Sequence, residues 1–496
     1  MVTAESTVPS TAAEPEVAVT PPVRRFRVGT LSYTRSQLIN VFFWMLWGDL
    51  CLNVMESAIP RLVPLQLKAL GGSNALVGLL TGSLFSLLNW VMNPIISTWS
   101  DRYRSRLGRR IPFMLYPTPF LAACLILVGF STNIAGYLQA VHPGVGRAIA
   151  SAAAWALPDV STLAGTAQLT IALMAVLLVL YKFFDLFPQC VYYYLFADII
   201  PQETMGTFVS LFRVMGTAGG FIFHYWLLGY SETNPKAVYL GCGLLYFVAF
   251  MALCLVVREG DYPPPPPRVK QPLRALVGWA RQSFTNRFYW KYFFAAACFR
   301  WAFAPFNMFL ILYAQKALGL QAGEFGHVMA LVMAIQLPLL FVLGPVIDRF
   351  HPIRIGLIGL TAMTLAGLAG FTFIHGRTSF VVLTIATFVS ISIFSTSLAT
   401  LGPRLLPRQR YGQFCAATMM VVETGMLVFA WACGTLLDHT GERFVYLWLA
   451  SFSALGLVAN VILYRAWKQH GGDEHYVAPG DLDTVVMENV TPATHA

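Results

Sequence analysis

Residues 93–112 read NPIISTWSDRYRSRLGRRIP, and they join two long apolar segments of the chain. The stretch contains Asp101, five arginines and Gly108, whereas the segments on either side carry almost no charge. An arginine at the centre of a bilayer costs about 2.5–3.5 kcal/mol on insertion scales, so this stretch cannot lie within hydrocarbon. It therefore predicts a tight, cationic loop between two membrane-spanning helices.

Two pairs of internal repeats indicate that this design occurs twice. Residues 344–354 read GPVIDRFHPIR, again between two apolar segments. Residues 201–208 and 407–414 both read proline, four residues, glycine, one residue, phenylalanine, at corresponding places in the two halves. Together, the repeats predict a duplicated membrane bundle, which is an architecture that many transport proteins use.

The composition agrees with a polytopic membrane protein. Of the 496 residues, 57% are hydrophobic and 11% are charged, whereas a soluble domain carries roughly 25% charged residues. The formal net charge of +10 lies mainly in short loops, which is typical of membrane orientation rather than of nucleic-acid binding. We therefore expect a lipid bilayer and a small-molecule solute as partners, no nucleic acid, and a monomer.

Twelve apolar runs are long enough to span a bilayer, which needs about 20 residues in helical form. The predicted fold is an all-α integral membrane protein with twelve transmembrane helices in two pseudo-symmetric six-helix bundles. The predicted helices are 37–64, 74–97, 111–131, 167–199, 205–229 and 237–257, followed by 290–317, 324–347, 354–374, 379–402, 412–436 and 444–467.

The loops predict the domain layout and the orientation. Arginine and lysine concentrate after predicted helices 2, 6, 8 and 10, which places both termini in the cytoplasm of a cell with this protein in its plasma or inner membrane. Residues 131–166 are expected to form an external loop, to which we assign no function. The predicted segments are a disordered tail (1–35), an N-terminal bundle (36–257), a cytoplasmic linker with a proline run (258–289), a C-terminal bundle (290–468) and a second tail (469–496).

The charged loops resemble the signature of the major facilitator superfamily, Gly-x-x-x-Asp-Arg-x-Gly-Arg-Arg. The second copy keeps Gly344, Asp348 and Arg349, whereas the first has Ser97 in place of the glycine and extra residues before Gly108. That longer form, followed by Ile-Pro-Phe, is similar to the sucrose-transporter and glycoside-pentoside-hexuronide branches. The resemblance implies the major facilitator fold and, through the branch, a sugar or glycoside as the solute.

The loop residues have a plausible role as a gate on the cytoplasmic face. A carboxylate beside a helix N-terminus gains roughly 0.3–1 kcal/mol from the exposed N–H groups. We expect Asp101 to contact helix 11 near Gly412 and Asp348 to contact helix 5 near Gly206; the alternative is that the loops only set topology. The predicted gate motif comprises Asp101, Arg102, Gly108, Arg109, Arg110, Gly344, Asp348 and Arg349.

Polar residues within the membrane usually line a pathway, because burying them there is expensive. Helices 1 and 4 each carry three on one face, at spacings of three, four and seven residues, and helices 7 and 11 add others. In the family that this chain resembles, helices 1, 4, 7 and 10 line the cavity. Predicted cation-coupling residues are Asp185, Asp49 and Lys182, and predicted substrate-binding residues are Asn53, Glu56, Gln189, Arg300, Asn307 and Glu423.

Asp185 is the first candidate for coupling and Asp49 the second. A cavity raises the pKa of a carboxyl group while a neighbouring lysine lowers it, so protonation can depend on which face the cavity opens to. Sugar transporters of the resembled branches also use a helix 4 acid for cation coupling. Sodium, bound by Asp49, Asn53 and Asp185, is the alternative ion, and a static structural pair of Lys182 and Asp185 is the alternative role.

The sequence thus predicts a secondary active transporter of a small polar solute, a sugar or glycoside, coupled to protons by alternating access. Alternatives are a sodium-coupled sugar symporter, a carrier of an organic anion, amino acid or drug with Arg300 as counter-ion, and a non-transporting solute sensor. No nucleotide loop, metal-spaced His/Cys cluster or nucleophile motif is present, so neither an enzyme nor a cofactor is expected.

Overall fold

The computed structural model describes residues 25–479, apart from 157–159, 161, 162, 164, 263, 265–277, 279, 408 and 409. Within this part of the chain, twelve helices are long and apolar enough to cross a membrane, which confirms the predicted fold class. We label them α1 to α12: Arg35–Ala69, Asn74–Arg102, Ile111–Val141, Gly165–Ile199, Gln202–Thr233, Pro235–Val256, Arg287–Leu318, Ala322–Phe350, Pro352–Phe373, Arg377–Leu405, Tyr411–Thr440 and Phe444–Gln469.

Helix ends follow local sequence signals. Thr34 caps α1, since its hydroxyl accepts from the backbone N–H of Gln37 while the Gln37 side chain accepts from the Thr34 N–H at 2.9 Å. Ser73 caps α2 in a similar way, accepting from Leu76 N at 3.0 Å. Gly319 ends α7 with φ of +64°, a left-handed conformation that glycine adopts without steric cost.

The structure changes several predicted boundaries. α2 continues through Arg102, so Asp101 lies in its last turn rather than in a loop. The predicted external loop 131–166 was wrong in part, because α3 extends to Val141 and Pro143–Ala156 forms a further helix. Alanine has the strongest helix propensity, and this segment is rich in it although it is too short to span a membrane.

Two predicted non-helical segments are described only in part. Within the predicted N-terminal tail, Phe26–Val28 (β1) and Leu31–Tyr33 (β2) pair as an antiparallel hairpin. The Thr30 hydroxyl accepts from the backbone N–H of Asp261 at 2.8 Å, so the hairpin contacts the chain that follows α6. Most of the proline run 263–267 lies outside the described residues.

Each half packs in the same pattern. In the first half α1 packs on α5 and α6, α3 on α4 and α6, and α2 on α4. In the second half the corresponding helices make the corresponding contacts, namely α7 on α11 and α12, α9 on α10 and α12, and α8 on α10. The halves meet along two seams, α2 with α11 and α5 with α8, which are again equivalent pairs. The molecule is therefore a twofold repeat of six helices.

The seams are tightly packed toward one end of the molecule. We call the end that carries residues 101–110 the basic face and the other end the opposite face. Near the opposite face the backbones touch, since a Cβ at Gly78 would lie 2.2 Å from Ala430 O and one at Gly326 would lie 2.2 Å from His224 O. At the basic face Gly206 and Gly412 have open space instead. The backbones of the two halves are therefore in close contact near the opposite face.

Candidate functional site

A buried chain of polar side chains links the middle of α4 to α1. Lys182 Nζ donates to Asp185 Oδ2 and to Gln189 Oε1, both at 3.0 Å. Gln189 Nε2 in turn donates to Glu56 Oε1 at 3.2 Å. The side chains of Lys182 and Asp185 are only 8% and 4% exposed, so their ion pair is shielded from water. The structure thus joins four residues that were predicted to act separately in coupling and in substrate binding.

Asp49 and Asn53 form a second polar pair on α1, packed against α5. Asn53 Nδ2 donates to Asp49 Oδ1 at 3.1 Å, and a Cβ at Gly216 would lie 3.1 Å from Asp49 Oδ2. Asp49 Oδ2 and Asp185 Oδ1 are both buried and make no hydrogen bond to the described part of the chain. Each carboxylate therefore keeps one oxygen that can receive a proton or ligate a cation.

Three adjoining cavities lie between the two halves, with volumes of about 270, 490 and 360 Å³. The first two share Pro60 and Arg300, and the last two share Asn53 and Ser395, so together they form one path. Asp185 is not among the lining residues and reaches the path through Lys182. Seven of the nine predicted coupling and substrate residues line the path: Asp49, Asn53, Glu56, Lys182, Gln189, Arg300 and Asn307.

The predicted residues of the second half fall into two groups. Arg300 lines the first two cavities and makes no ion pair or side-chain hydrogen bond with the described residues. Glu423 lies instead on the seam between α2 and α11, where it accepts from Asn89 Nδ2 at 3.4 Å, and it does not line the three cavities. The geometry thus supports contact with a solute for Arg300 and contact between the halves for Glu423.

The sequence analysis did not identify Arg61 and His224, which lie at the end of the cavity nearest the opposite face. Arg61 is 4% exposed, and its guanidinium donates to His224 Nε2 at 3.2 Å and to Asn307 Oδ1 at 2.7 Å. The predicted helix 1 ended at residue 64, which placed Arg61 at the membrane rim, where an arginine is ordinary. Because α1 extends to Ala69, Arg61 is instead more than two turns inside the helix. The signal available in sequence was a charge within an apolar run.

The signature loop forms a compact ionic cluster within the first half. Arg109 binds both carboxylate oxygens of Asp198, at 2.8 and 2.9 Å, and Arg110 binds Asp101 at 2.6 Å. The Glu259 carboxylate accepts from the backbone N–H groups that begin α3, at 2.6 to 3.0 Å. Gly108 has φ of +105°, which strains residues other than glycine, and a Cβ there would lie 2.5 Å from the Glu259 side chain. The loop therefore holds α2, α3 and α4 together.

The protonation state of Tyr262, at the basic face, depends on its burial and on the charges around it. Burial and the carboxylates of Glu259 and Asp198 raise the pKa of Tyr262 well above its ordinary value, so its hydroxyl remains protonated and donates to Asp198 at 3.2 Å. The guanidinium of Arg109 stacks on the Tyr262 ring, 4.1 Å from its centre. These contacts fix the position of the chain that leaves α6.

The second-half copy of the signature is looser. Asp348 pairs with Arg404 of α10 at 2.6 Å, and both side chains are well exposed. Arg349 lies over the ring of Phe350, and a Cβ at Gly344 would meet nothing within 4 Å. In this conformation Asp101 and Asp348 bind arginines of their own half, and among the described residues neither makes a hydrogen bond or ion pair with α11 or α5. The predicted gate stays a prediction for a conformation closed at the basic face.

Carboxylates do cap helix N-termini between the halves, but at the opposite face. Asp438 at the end of α11 accepts from the backbone N–H groups of Asn74 and Ala75, both at 2.8 Å, at the start of α2. Glu232 at the end of α5 accepts from Gly323 N at 2.8 Å, at the start of α8. The two contacts occupy equivalent places in the repeat, and each satisfies N–H groups that a helix leaves without partners. We call them the two carboxylate locks.

Glu442 adds a third acidic contact at this face. Its carboxylate binds Lys316 at 2.7 Å and accepts from Asn74 Nδ2 at 3.4 Å. Burial alone would raise the pKa of Glu442, but the hydrogen bond and charge of Lys316 outweigh it, so the pKa lies below its ordinary value. Glu442 is therefore ionised at neutral pH and ties the loop between α11 and α12 to α7.

Known proteins share this architecture. A bacterial homologue of the human lysosomal transporter Spinster, solved inward-facing and occupied, aligns with a TM-score of 0.64 at 12% identity over 90% of this chain and 100% of that one. A bacterial homologue of the iron transporter ferroportin, in an inward-facing state, aligns with a TM-score of 0.63 at 17% identity over 86% and 99% of the two chains. At these identities the likeness shows the fold alone.

A relative with a sequence match is named as a putative proline/betaine transporter of Staphylococcus aureus (strain COL), 29% identical over 195 residues. The match covers 36% of this chain and only 40% of the relative's length. Residues 51–430, by contrast, match the model of a whole family across both halves. The chain therefore belongs to the Major Facilitator Superfamily, a family of membrane transporters rather than of enzymes.

Proposed function

We propose that this protein is a secondary active transporter that couples the movement of a small polar solute to protons. The observation that carries the proposal is the buried network of Lys182, Asp185, Gln189 and Glu56, which borders a cavity between the two halves. Burying an ion pair and leaving one carboxylate oxygen without a hydrogen bond lowers the stability of the folded protein. A role in the transport cycle would account for its retention.

Protonation gives this network two states. With Asp185 ionised, Lys182 is held between Asp185 and Gln189, as in this structure. A proton on Asp185 would cancel one charge of the pair and release Lys182 toward Gln189 and the cavity. Since Gln189 donates to Glu56 on α1, the change reaches the helix that packs on α5 and faces α7. Proton binding can thereby bias the rocking of the two halves.

The geometry favours protons over sodium as the coupling ion. A sodium site built from Asp49, Asn53 and Asp185 would need these oxygens around one point. Asn53 instead donates to Asp49, and the cation beside Asp185 is the ammonium of Lys182. A fixed cation at the carboxylate competes with sodium, whereas it is compatible with proton exchange.

The proposed solute is a sugar or glycoside, on the basis of the signature loop. A second candidate is a small zwitterion, such as an amino acid or betaine. It is favoured by the unpaired Arg300, which faces the cavity, and by the name of the Staphylococcus aureus relative. Glu56 lines the same cavity and could face a cationic group of such a solute.

The test is transport by purified protein in liposomes that contain a pH indicator. Mono- and disaccharides, amino acids and betaines are applied to wild type, to Asp185→Asn and to Asp473→Asn, a control at an exposed pair with Arg354. We expect one solute class to move protons with wild type and the control, but not with Asp185→Asn. Sodium-dependent uptake without proton movement would overturn the choice of ion, and binding without any uptake would indicate a sensor.

A further inference from the structure

Arg61 is a buried cation that the proposed coupling network does not use. Its guanidinium makes three hydrogen bonds: to His224 Nε2 at 3.2 Å, to Asn307 O at 2.5 Å and to Asn307 Oδ1 at 2.7 Å. No carboxylate of the described residues lies within ion-pair distance of it. The ring of Phe325, 5.5 Å away, is its remaining electrostatic contact.

His224 does not supply the missing negative charge. Its Nδ1 lies 2.8 Å from the carbonyl oxygen of Gly220, which can only accept, so Nδ1 carries the hydrogen. Nε2 is then the lone pair that accepts from Arg61, and the imidazole is neutral. Every hydrogen-bond partner of Arg61 is thus neutral, and burial of a cation among neutral groups is unfavourable.

Arg300 places a second positive charge in the same cavity. Both arginines line the 490 Å³ cavity together with Asn307, which belongs to α7 like Arg300 and is bound to Arg61. Arg300 has all five N–H donors free of described partners, and Arg61 has two donors beyond its three hydrogen bonds. The cavity therefore presents N–H donors and two positive charges, and the one carboxylate among its described lining residues, Glu56, is bound to Gln189.

We infer that Arg61 and Arg300 form a subsite for the carboxylate of the transported solute. The inference rests on the proposed transport through this cavity and narrows its substrate class to small carboxylates, which include sugar acids and zwitterions. A planar guanidinium matches the two oxygens of a carboxylate. Because Arg61 belongs to α1 and Arg300 to α7, a carboxylate bound by both would contact both halves of the transporter.

The experiment compares carboxylates with matched analogues that lack the carboxylate, on the full-length protein. The pairs are galacturonate with galactose, proline with prolinamide, and glycine betaine with choline. Binding is measured as the shift in denaturation temperature in detergent, and transport as uptake into proteoliposomes. We expect the carboxylate of at least one pair to bind and to be transported, whereas its analogue without a carboxylate does neither. The pair that responds identifies the source of the carboxylate.

Variants then assign the subsite. Arg300→Gln changes an exposed side chain, so it should fold, and we expect it to weaken carboxylate binding at least about tenfold. Arg61→Lys keeps the buried charge but loses the planar group, and we expect a similar loss. Arg147→Gln, on the exposed helix beyond α3, is the control and should bind like wild type. Monodispersity on size-exclusion chromatography establishes that each variant is folded.

Three outcomes would overturn the inference. Carboxylate binding that is unchanged in both arginine variants would show that another group holds the anion. Equal affinity for a carboxylate and for its analogue without a carboxylate would show that the carboxylate is not recognised. Proton-coupled transport of neutral sugars alone would reject the carboxylate, while the proposed transport function would stand.

Discussion

Lys182 forms a buried ion pair with Asp185. The free energy of unfolding responds differently to the loss of one partner of such a pair than to the loss of both. Removing one partner of a buried ion pair leaves an uncompensated charge and costs about 3–5 kcal/mol, whereas replacing both partners is often nearly neutral. This asymmetry applies to Lys182 and Asp185, because both side chains are buried and Lys182 Nζ lies 3.0 Å from Asp185 Oδ2. A pair that served only for stability could therefore be replaced as a whole.

Lys182→Met should lower the denaturation temperature clearly, and Lys182→Met/Asp185→Asn should recover most of the loss. The single variant buries Asp185 without its cation, at a cost of about 3–5 kcal/mol in free energy of unfolding. Thermal unfolding in detergent measures both, with Lys236→Met at an exposed lysine as the control. A single variant as stable as the control would mean that Asp185 is neutral in the folded protein.

Glu442 gives the folded protein a pH dependence whose sign follows from its lowered pKa. A carboxyl group whose pKa is lower in the folded state stabilises that state above its ordinary value of 4.5, and the contribution is lost as the pH falls through the folded value. We expect Glu442→Gln to destabilise the protein at neutral pH and to differ less from wild type below pH 4.5. Denaturation temperatures from pH 7 to pH 3 test this, and a constant difference would contradict it.

Residue periodicity predicted part of the site and missed the rest for a physical reason. Lys182, Asp185 and Gln189 share a face of α4 because of helical spacing, which sequence shows directly. Arg61 contacts His224 and Asn307, which are 163 and 246 residues away in the sequence, and no local sequence pattern predicts such contacts. The same holds for Glu259, which binds the start of α3 from beyond α6.

At the scale of helices, the close packing of α2 against α11 depends on glycine residues. A Cβ at Gly78 would lie 2.2 Å from Ala430 O, and one at Gly434 would lie 2.2 Å from Asn74 O. A π-helical turn, Leu79–Ser83, interrupts α2 beside this crossing, and a second, Phe223–Leu227, interrupts α5 at the equivalent seam. Such turns change the face that a helix presents, and they are frequent at functional sites.

Gly78→Leu and Gly434→Leu should each prevent closure at the opposite face. The added side chain would occupy the position of the facing backbone, so the conformation described here becomes inaccessible while the other one remains. Spin labels at Thr233 and Ala317, on different halves at this face, report the separation by pulsed electron resonance. We expect longer distances in both variants and wild-type distances in the control Gly241→Leu, where a Cβ meets nothing within 4 Å. Unchanged distances in both would refute the role of the crossing.

The helices were predictable in number but not in detail. Apolar length alone identified all twelve, because a bilayer demands about 20 apolar residues per helix. The same criterion overlooked Pro143–Ala156, which is helical without being long enough to span. It also carries no information on π-helical turns, since one extra residue in a turn leaves hydropathy unchanged.

At the scale of the whole molecule, the two carboxylate locks select one conformation. Each joins a carboxylate of one half to a helix N-terminus of the other, and the two are equivalent in the repeat. Alternating access requires that these contacts break when the cavity opens at the opposite face. Their combined strength therefore contributes to the balance between the two conformations.

Asp438→Asn with Glu232→Gln should shift that balance toward an open opposite face. Loss of both charges removes about 1–2 kcal/mol, which changes the ratio of conformations roughly 5–30-fold. The distance between labels at Thr233 and Ala317 measures the shift. Asp101→Asn is the counterpart, because it should weaken the predicted gate of the other conformation and move the distances the opposite way. Identical distributions in all proteins would reject both sets of contacts as determinants.

The duplication was predictable from sequence, and the conformation was not. Two copies of the charged loop and of the Pro–Gly–Phe spacing point to two equivalent bundles whatever their relative tilt. Which face is closed depends on small free-energy differences between contacts such as those of Asp438 and of Asp101. The prediction placed carboxylate contacts of the right kind at the basic face, whereas this structure has them at the other.

The partner atoms of Asp438 have a consequence for genetics. Its carboxylate accepts from backbone N–H groups of α2, so no described side chain of α2 forms an ion pair with it that a charge exchange could restore. We therefore expect that the charge reversal Asp438→Lys cannot be suppressed by an opposite charge reversal at a residue of α2. Suppressors that restore growth on the transported solute should instead arise far away, among residues that hold the basic face shut in the competing conformation. A map of such revertants would outline the second gate without a second structure.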